Sequence, residues 1–498
     1  MSVRVTLFRP LPTVRMDASS LKVASTMRLP RPQRSSTLIR TTVLLSATVL
    51  TIADLGLVVS GAALAAPTPP SQSSWTVYHG NAKGSGVSSV VKTVTTSKRA
   101  WTSPVLSGEL YGEPLVYSRD VFVATENDTI YALSSTNGKV VWTRHLATPV
   151  PSSALPCGDI SPSVGVTGTP VIDPSRNEIF VVADEFVARK PEHFLLGLST
   201  KTGATEMRQR VDPPGADPAS LLARSGLTLD AGRVVFGLGG NYGDCGAYNG
   251  RVVSVKETGS SPTFFTVDAA AGDSQGAVWM GGAAPIVDAR GNIWVSVGNG
   301  SVRSSGQAFD DSDSVLELSA TLHLKQYFAP TDWAQNNASD ADMTMAPALL
   351  ANGQVVLAGK SRIVYLLNGA NLGGIGSGEA TLPDACSNDI DGGPAFSGTT
   401  VYLPCLSGPV AVSVTTSPPS LKELWQSSVG GGPAIVAAGE VWTVGQNGVL
   451  YGLDPATGSV RQQASVGALS NHFSTPSVGD SLLLVSTSNR VVAFRATT

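Results

Sequence analysis

Two twenty-residue stretches of the chain align without a gap: VFVATENDTIYALSSTNGKV, from Val121, and VWTVGQNGVLYGLDPATGSV, from Val441. Each reads as an apolar run, a tight polar turn, a second run ending in Tyr-x-Leu, a Gly-containing turn and the start of a third run. Apolar and polar residues alternate with period two, which marks strands, and Asn-Asp or Asn-Gly marks the first turn. Gly138 and Gly458 supply the positive φ of the second turn. The cadence recurs more loosely from near Pro114, Gly168, Gly226, Pro285, Pro347, Pro394, Pro433 and Pro476, eight units in all. Such a repeat restricts the fold strongly, because one small sheet cannot bury both of its faces and must lean on the next unit.

Units of three or four short strands, with no convincing amphipathic helix, predict an all-β fold: an eight-bladed β-propeller of four-stranded antiparallel blades. Aromatic residues stand where the outer strand of a blade would run: Trp142, Trp425 and Phe328. The last unit stops after its third strand. Ala100-Trp101-Thr102 resembles Val141-Trp142-Thr143 and Leu424-Trp425-Gln426. The expectation is therefore a ring closed by the N-terminal strand completing the last blade. Two stacked β-sandwiches are the alternative, disfavoured by the likeness of the units.

The start of the chain reads as an address. Arg28, Arg31, Arg34 and Arg40 precede an apolar or small stretch broken by one acid, Asp54, and ending in Ala63-Leu64-Ala65. That order matches a secretory signal, with an uncleaved anchor as the alternative. The expected organisation is 1–65 signal peptide or N-terminal anchor, 66–74 Pro/Ser-rich linker and 75–498 propeller. Of 34 basic and 37 acidic residues, eight and two lie in the first 65, leaving a net charge of −9 on the rest. A nucleic-acid partner would require a basic face, so none is expected. A membrane enters only through an uncleaved N-terminal segment. The location expected is secreted or cell-surface, where four cysteines favour disulfides. Of the three pairings, the positions favour Cys157 with Cys245 and Cys386 with Cys405.

The string IYALSSTNGKVVW at Ile130 resembles the pyrroloquinoline quinone (PQQ)-like blade of quinoprotein propellers, and LYGLDPATGSV at Leu450 is similar. The resemblance extends over most of residues 100–498. It implies the propeller fold. It also implies two activities, since the family contains secreted quinoprotein alcohol dehydrogenases and cofactor-free scaffold propellers such as the outer-membrane assembly factor. The dehydrogenases hold their quinone against a ring of two adjacent cysteines; none of the four here are adjacent, and Cys-x-x-Cys-His is absent. No string supports PQQ or Ca²⁺ specifically.

In such a ring, the loops leading into the innermost strands converge on one channel mouth. They would carry Asp159, Trp279, Asp340, Asp342, Asp389, Asp391 and His472, with Asn241 in a Gly-rich loop nearby. Clustered carboxylates raise one another's pKa or recruit a cation, and Trp279 offers a stacking face. The blander reading is that Asp and Asn here make local turns. Asp340, Asp342 and His472 are the catalytic candidates; Trp279, Asp159, Asn241, Asp389 and Asp391 are the cofactor candidates. The acidic run Asp310-Asp311-Ser312-Asp313 reads as a solvated turn. The expected function is a binding or scaffold module for a protein or small molecule at the mouth. The alternative is oxidation of an alcohol or sugar with PQQ and Ca²⁺.

Overall fold

The computed structural model describes residues 74–260 and 262–498. The leader or anchor, and all of the linker but its last residue, lie outside the described residues. Among the described residues no helix is long and apolar enough to cross a membrane.

Eight blade sheets follow one another along the chain. Blades 1 to 7 span residues 115–145, 171–210, 228–266, 286–329, 348–382, 395–426 and 434–465, each starting with a short innermost strand of two to four residues. Blade 8 takes Ser477–Gly479, Leu482–Ser486 and Val491–Thr497, with Thr93–Thr102 paired antiparallel outside the last of these. Second and third strands are buried on both faces, as in Asp120–Thr125 and Thr129–Ser134, because each sheet lies between two neighbours. The outer strand Val140–His145 is mostly exposed. Gly138 and Gly458 both have φ near +70°, as the turn demands.

The expected closure needs correcting. Among the described residues no sheet is closed by hydrogen bonds: the eight blade sheets are separate, as is a small pair of Val150–Pro151 with Ser163–Val164, and the pairing of Thr93–Thr102 stays inside one blade. Apolar packing and single hydrogen bonds join neighbouring blades. Nor are all blades four-stranded and antiparallel. Blade 7 gains Val87–Ser88 and blade 4 gains Gly374–Ile375, both in parallel, and Leu221–Leu222 pairs with the second strand of blade 3. The acidic run is corrected too: Asp310, Ser312 and Asp313 are buried, with Asn336 Nδ2 donating to Asp313 at 2.6 Å.

Residues 75–88 form a plug that the repeats did not announce. Trp75 bridges Val116 of blade 1. The carbonyls of Thr76, Ala82, Ser85 and Gly86 accept from Ile172, Val287, Phe396 and Val436 at 2.7–3.0 Å. Those four donors belong to the innermost strands of blades 2, 4, 6 and 7. A segment bonded to the inner strands of five blades fills the channel they surround. Glu113 anchors it, accepting from Trp75 Nε1 at 3.0 Å and from the His79 N–H at 2.8 Å.

Candidate functional site

The loops leading into the innermost strands form the wall of the mouth, and Tyr78 and His79 of the plug form part of its floor. Their rings stack with centroids 4.3 Å apart. The Tyr78 hydroxyl accepts from the Gly393 N–H at 3.2 Å and shares a hydrogen bond with Thr475. These partners lead into blades 6 and 8.

Arg224 reaches inward from the loop before blade 3. Its guanidinium lies 4.7 Å from the Phe473 ring centroid and 5.9 Å from that of Tyr111. It is 8% exposed, and its Nη2 has no hydrogen-bond partner among the described residues. Gly282 leaves the room, since a Cβ there would press on the guanidinium. Burial lowers the Arg224 pKa, and Glu126, Tyr111, Tyr78 and Asp159 pull it back. Burial also raises Glu126 to about 8, so this carboxyl is largely neutral at pH 7 and does not cancel the guanidinium charge. A buried cation so placed is poised for an anion.

In blade 5, Lys360 donates to Asp342 at 2.6 Å and to Asp340 at 2.9 Å. Asp342 also accepts from the Asn299 N–H at 2.9 Å. Burial raises Asp342 above its usual range and Lys360 opposes that rise; the lysine, flanked by two carboxylates, is raised despite its own burial. Trp279 lies next to this pair. A side chain at Gly298 would meet Asp342 Cβ at 3.0 Å and Trp279 Cζ3 at 3.6 Å. The indole donates to the Gly240 carbonyl at 2.9 Å and stays half-buried.

The other expected residues divide. His472 Nε2 lies 3.9 Å from Asp391 Oδ2. Burial, and then the Arg224 charge, push His472 down to about 4, so the imidazole is uncharged at neutral pH and a weak proton acceptor. Asp391 is buried and raised for that reason. Asp159 is exposed and acts on Arg224 and His472 through its charge. Asp389 is half-buried. Asn241 is spent locally, donating to the Ala219 carbonyl at 2.9 Å. The four aspartates of blades 5 and 6 do not gather into one cation site: among the described residues no three Asp, Glu, His or Cys side chains are placed to hold a metal. Disulfides join Cys157 to Cys245 and Cys386 to Cys405, tying the loops on either side.

Sequence reasoning missed Arg224, Lys360 and the plug. A signal existed for Arg224: it is a lone cation after Leu221-Leu222-Ala223, just ahead of a repeat start. Lys360 follows Gly359 in a loop that carried no motif.

Residues 61–295 match a family model described as outer membrane protein assembly factor BamB. No curated protein matches the chain. Among solved structures, a quinohemoprotein alcohol dehydrogenase from Pseudomonas putida HK5 superposes with a TM-score of 0.65 at 12% identity, covering 85% of this chain and 80% of that one. The quinohemoprotein alcohol dehydrogenase from Comamonas testosteroni gives 0.61 at 15% identity, with 85% and 80% covered. A europium-containing methanol dehydrogenase gives 0.62 at 13% identity, with 85% and 98% covered. At these identities the likeness is one of fold.

Proposed function

For a chain that carries the PQQ-repeat β-propeller of the quinoprotein family, we propose that the channel mouth binds a small, flat, anionic ligand outside the cytoplasm, in the manner of a quinoprotein. The carrying observation is Arg224, a buried cation whose Nη2 has no hydrogen-bond partner among the described residues, in a site that also holds Lys360 and the half-buried Trp279. Two disulfides and the family support the extracytoplasmic setting.

PQQ is the ligand to test first. Arg224 and Lys360 would hold its carboxylates, and Trp279 would lie against its ring. When bound, the quinone would supply a two-electron acceptor for alcohol oxidation. Calcium fits less well. Asp342 is already engaged by Asn299 and Lys360, and no three acidic groups converge. No role is therefore assigned to a metal. His472, neutral at pH 7, would serve as a hydrogen-bonding partner rather than a strong base.

Titrating PQQ into the full chain, with and without Ca²⁺, should quench tryptophan fluorescence with a dissociation constant of about 1 μM. Arg224→Ala should weaken binding about 100-fold, as loss of a buried charge partner does. Dye-linked oxidation of alcohols then tests turnover. A flat titration with and without Ca²⁺ overturns the reading and leaves the scaffold role, which the assembly-factor match favours.

A further inference from the structure

A cavity lies off the channel axis, between blades 6 and 7, with a volume of about 410 Å³. That is within the range of small-molecule sites. Its lining contains no charged side chain. Amides come from Asn388, Gln446 and Asn447, hydroxyls from Ser428 and Tyr451, and a small apolar wall from Leu406 and Val429.

The walls are held rigidly. The disulfide between Cys386 and Cys405 ties the segment that carries Asn388 to the one that continues into Leu406, and the Leu406 N–H bonds the Asp389 carbonyl at 3.0 Å. Across the cavity, Asn447 accepts from the Val449 N–H at 3.2 Å and donates to the Tyr451 hydroxyl at 2.8 Å, fixing the phenol. Gly430, at φ +84°, lines the wall, and any Cβ there would run into Thr443. The Gln446 amide makes no hydrogen bond within the described chain, and Asn388 Nδ2 makes none either.

These features select the ligand's chemistry. An ion would enter without a counter-charge. A purely apolar molecule would leave the Gln446 amide, Asn388 Nδ2 and the Ser428 hydroxyl facing it unmatched. A polyol matches both kinds of wall, since its hydroxyls donate and accept while its C–H face covers Leu406 and Val429. We propose that this cavity is a binding site for a neutral carbohydrate, separate from the anionic site at the mouth.

Calorimetric titration of the full chain with D-glucose and with maltose tests it. Saturable one-site binding is expected with at least one sugar. Gln446→Ala and Asn388→Ala should each weaken it about tenfold, and Ser428→Trp, which fills the cavity, should abolish it. All three positions are exposed, so the thermal transition should stay in place. Arg224→Ala should leave sugar binding unchanged, which separates this site from the mouth. No saturable heat with either sugar, or binding that all three substitutions leave intact, overturns the proposal.

Discussion

Replacing Trp101 by Ala should destabilise the protein by about 3–5 kcal/mol, the range for removing a large buried aromatic. The effect should exceed that of the same change at Trp142. The three contacts are alike. Trp101 covers Gly138 and donates to the Ser135 carbonyl at 2.7 Å. Trp142 covers Gly203 and donates to Thr200 at 2.9 Å, and Trp425 covers Gly458 and donates to Pro455 at 2.8 Å. Each indole of one blade docks on the next blade's turn, where glycine leaves a flat backbone surface. Their strands are anchored differently. Trp142 and Trp425 stand on strands that follow the third strand of their own blade directly in sequence, whereas Trp101 stands on Thr93–Thr102, which belongs to blade 8 only through its pairing with Val491–Thr497. Trp101 is 7% exposed, whereas Trp142 is only partly buried. Besides this indole, the polar seam between blade 8 and blade 1 includes the hydrogen bond from the Ser135 hydroxyl to Asp480. Denaturant unfolding of the two variants against the parent makes the comparison. If Trp101→Ala loses no more stability than Trp142→Ala, the seam is held by something other than this indole.

Reading the blades from the sequence worked where burial on both strand faces left long apolar runs between glycine turns, as around Val121 and Val441. It worked for the outer tryptophans because an indole on a mostly exposed strand, as in Val140–His145 and Pro419–Gln426, needs a surface to cover. It failed for residues 75–88. Their bonds to five blades are made by backbone groups, and backbone hydrogen bonding leaves no pattern in side-chain identity. The parallel additions Val87–Ser88 and Gly374–Ile375 escaped for the same reason: two-residue strands carry no periodicity. At the mouth, acidic residues were legible as loop residues, but their partners were not. Lys360 is 18 residues from Asp342 in sequence and reaches it only through the fold. The acidic run at Asp310 was misjudged because Asn336 and Asn337, from the helix Trp333–Ser339, cover it.

Stability should fall by about 3 kcal/mol or more between pH 6.5 and pH 9, and His193 should account for much of the change. The ring is 1% exposed. Its Nδ1 lies 2.7 Å from Asp212 and its Nε2 lies 3.5 Å from Asp184. Burial alone would lower its pKa, but Asp184, Asp212 and the Leu221 backbone raise it to about 9. Burial likewise works against Asp212, yet the bonds from His193 and Arg210 hold it below the usual range; Asp184, more deeply buried, sits up at about 6. Asp212 is thus the main counter-ion. A histidine raised from 6.5 to about 9 stabilises the fold fully below pH 6.5, and that contribution is lost as pH rises through 9. A shift of that size corresponds to about 3 kcal/mol. Glu126 acts in the same direction: its folded pKa of about 8 means that ionisation above that pH is resisted by the fold and accepted by the unfolded chain. The two histidines lowered to about 4, the buried His79 and the half-buried His472, have made most of their contribution by pH 6.5, where the unfolded chain gives up the proton, and so oppose the fall only slightly. Urea unfolding at pH 6.5 and pH 9 measures the difference. His193→Gln should lower stability at pH 6.5, where two carboxylates would face a neutral amide, and should flatten the decline toward pH 9. A parent whose stability is constant or rising across this window would show that His193 does not carry its charge between Asp184 and Asp212.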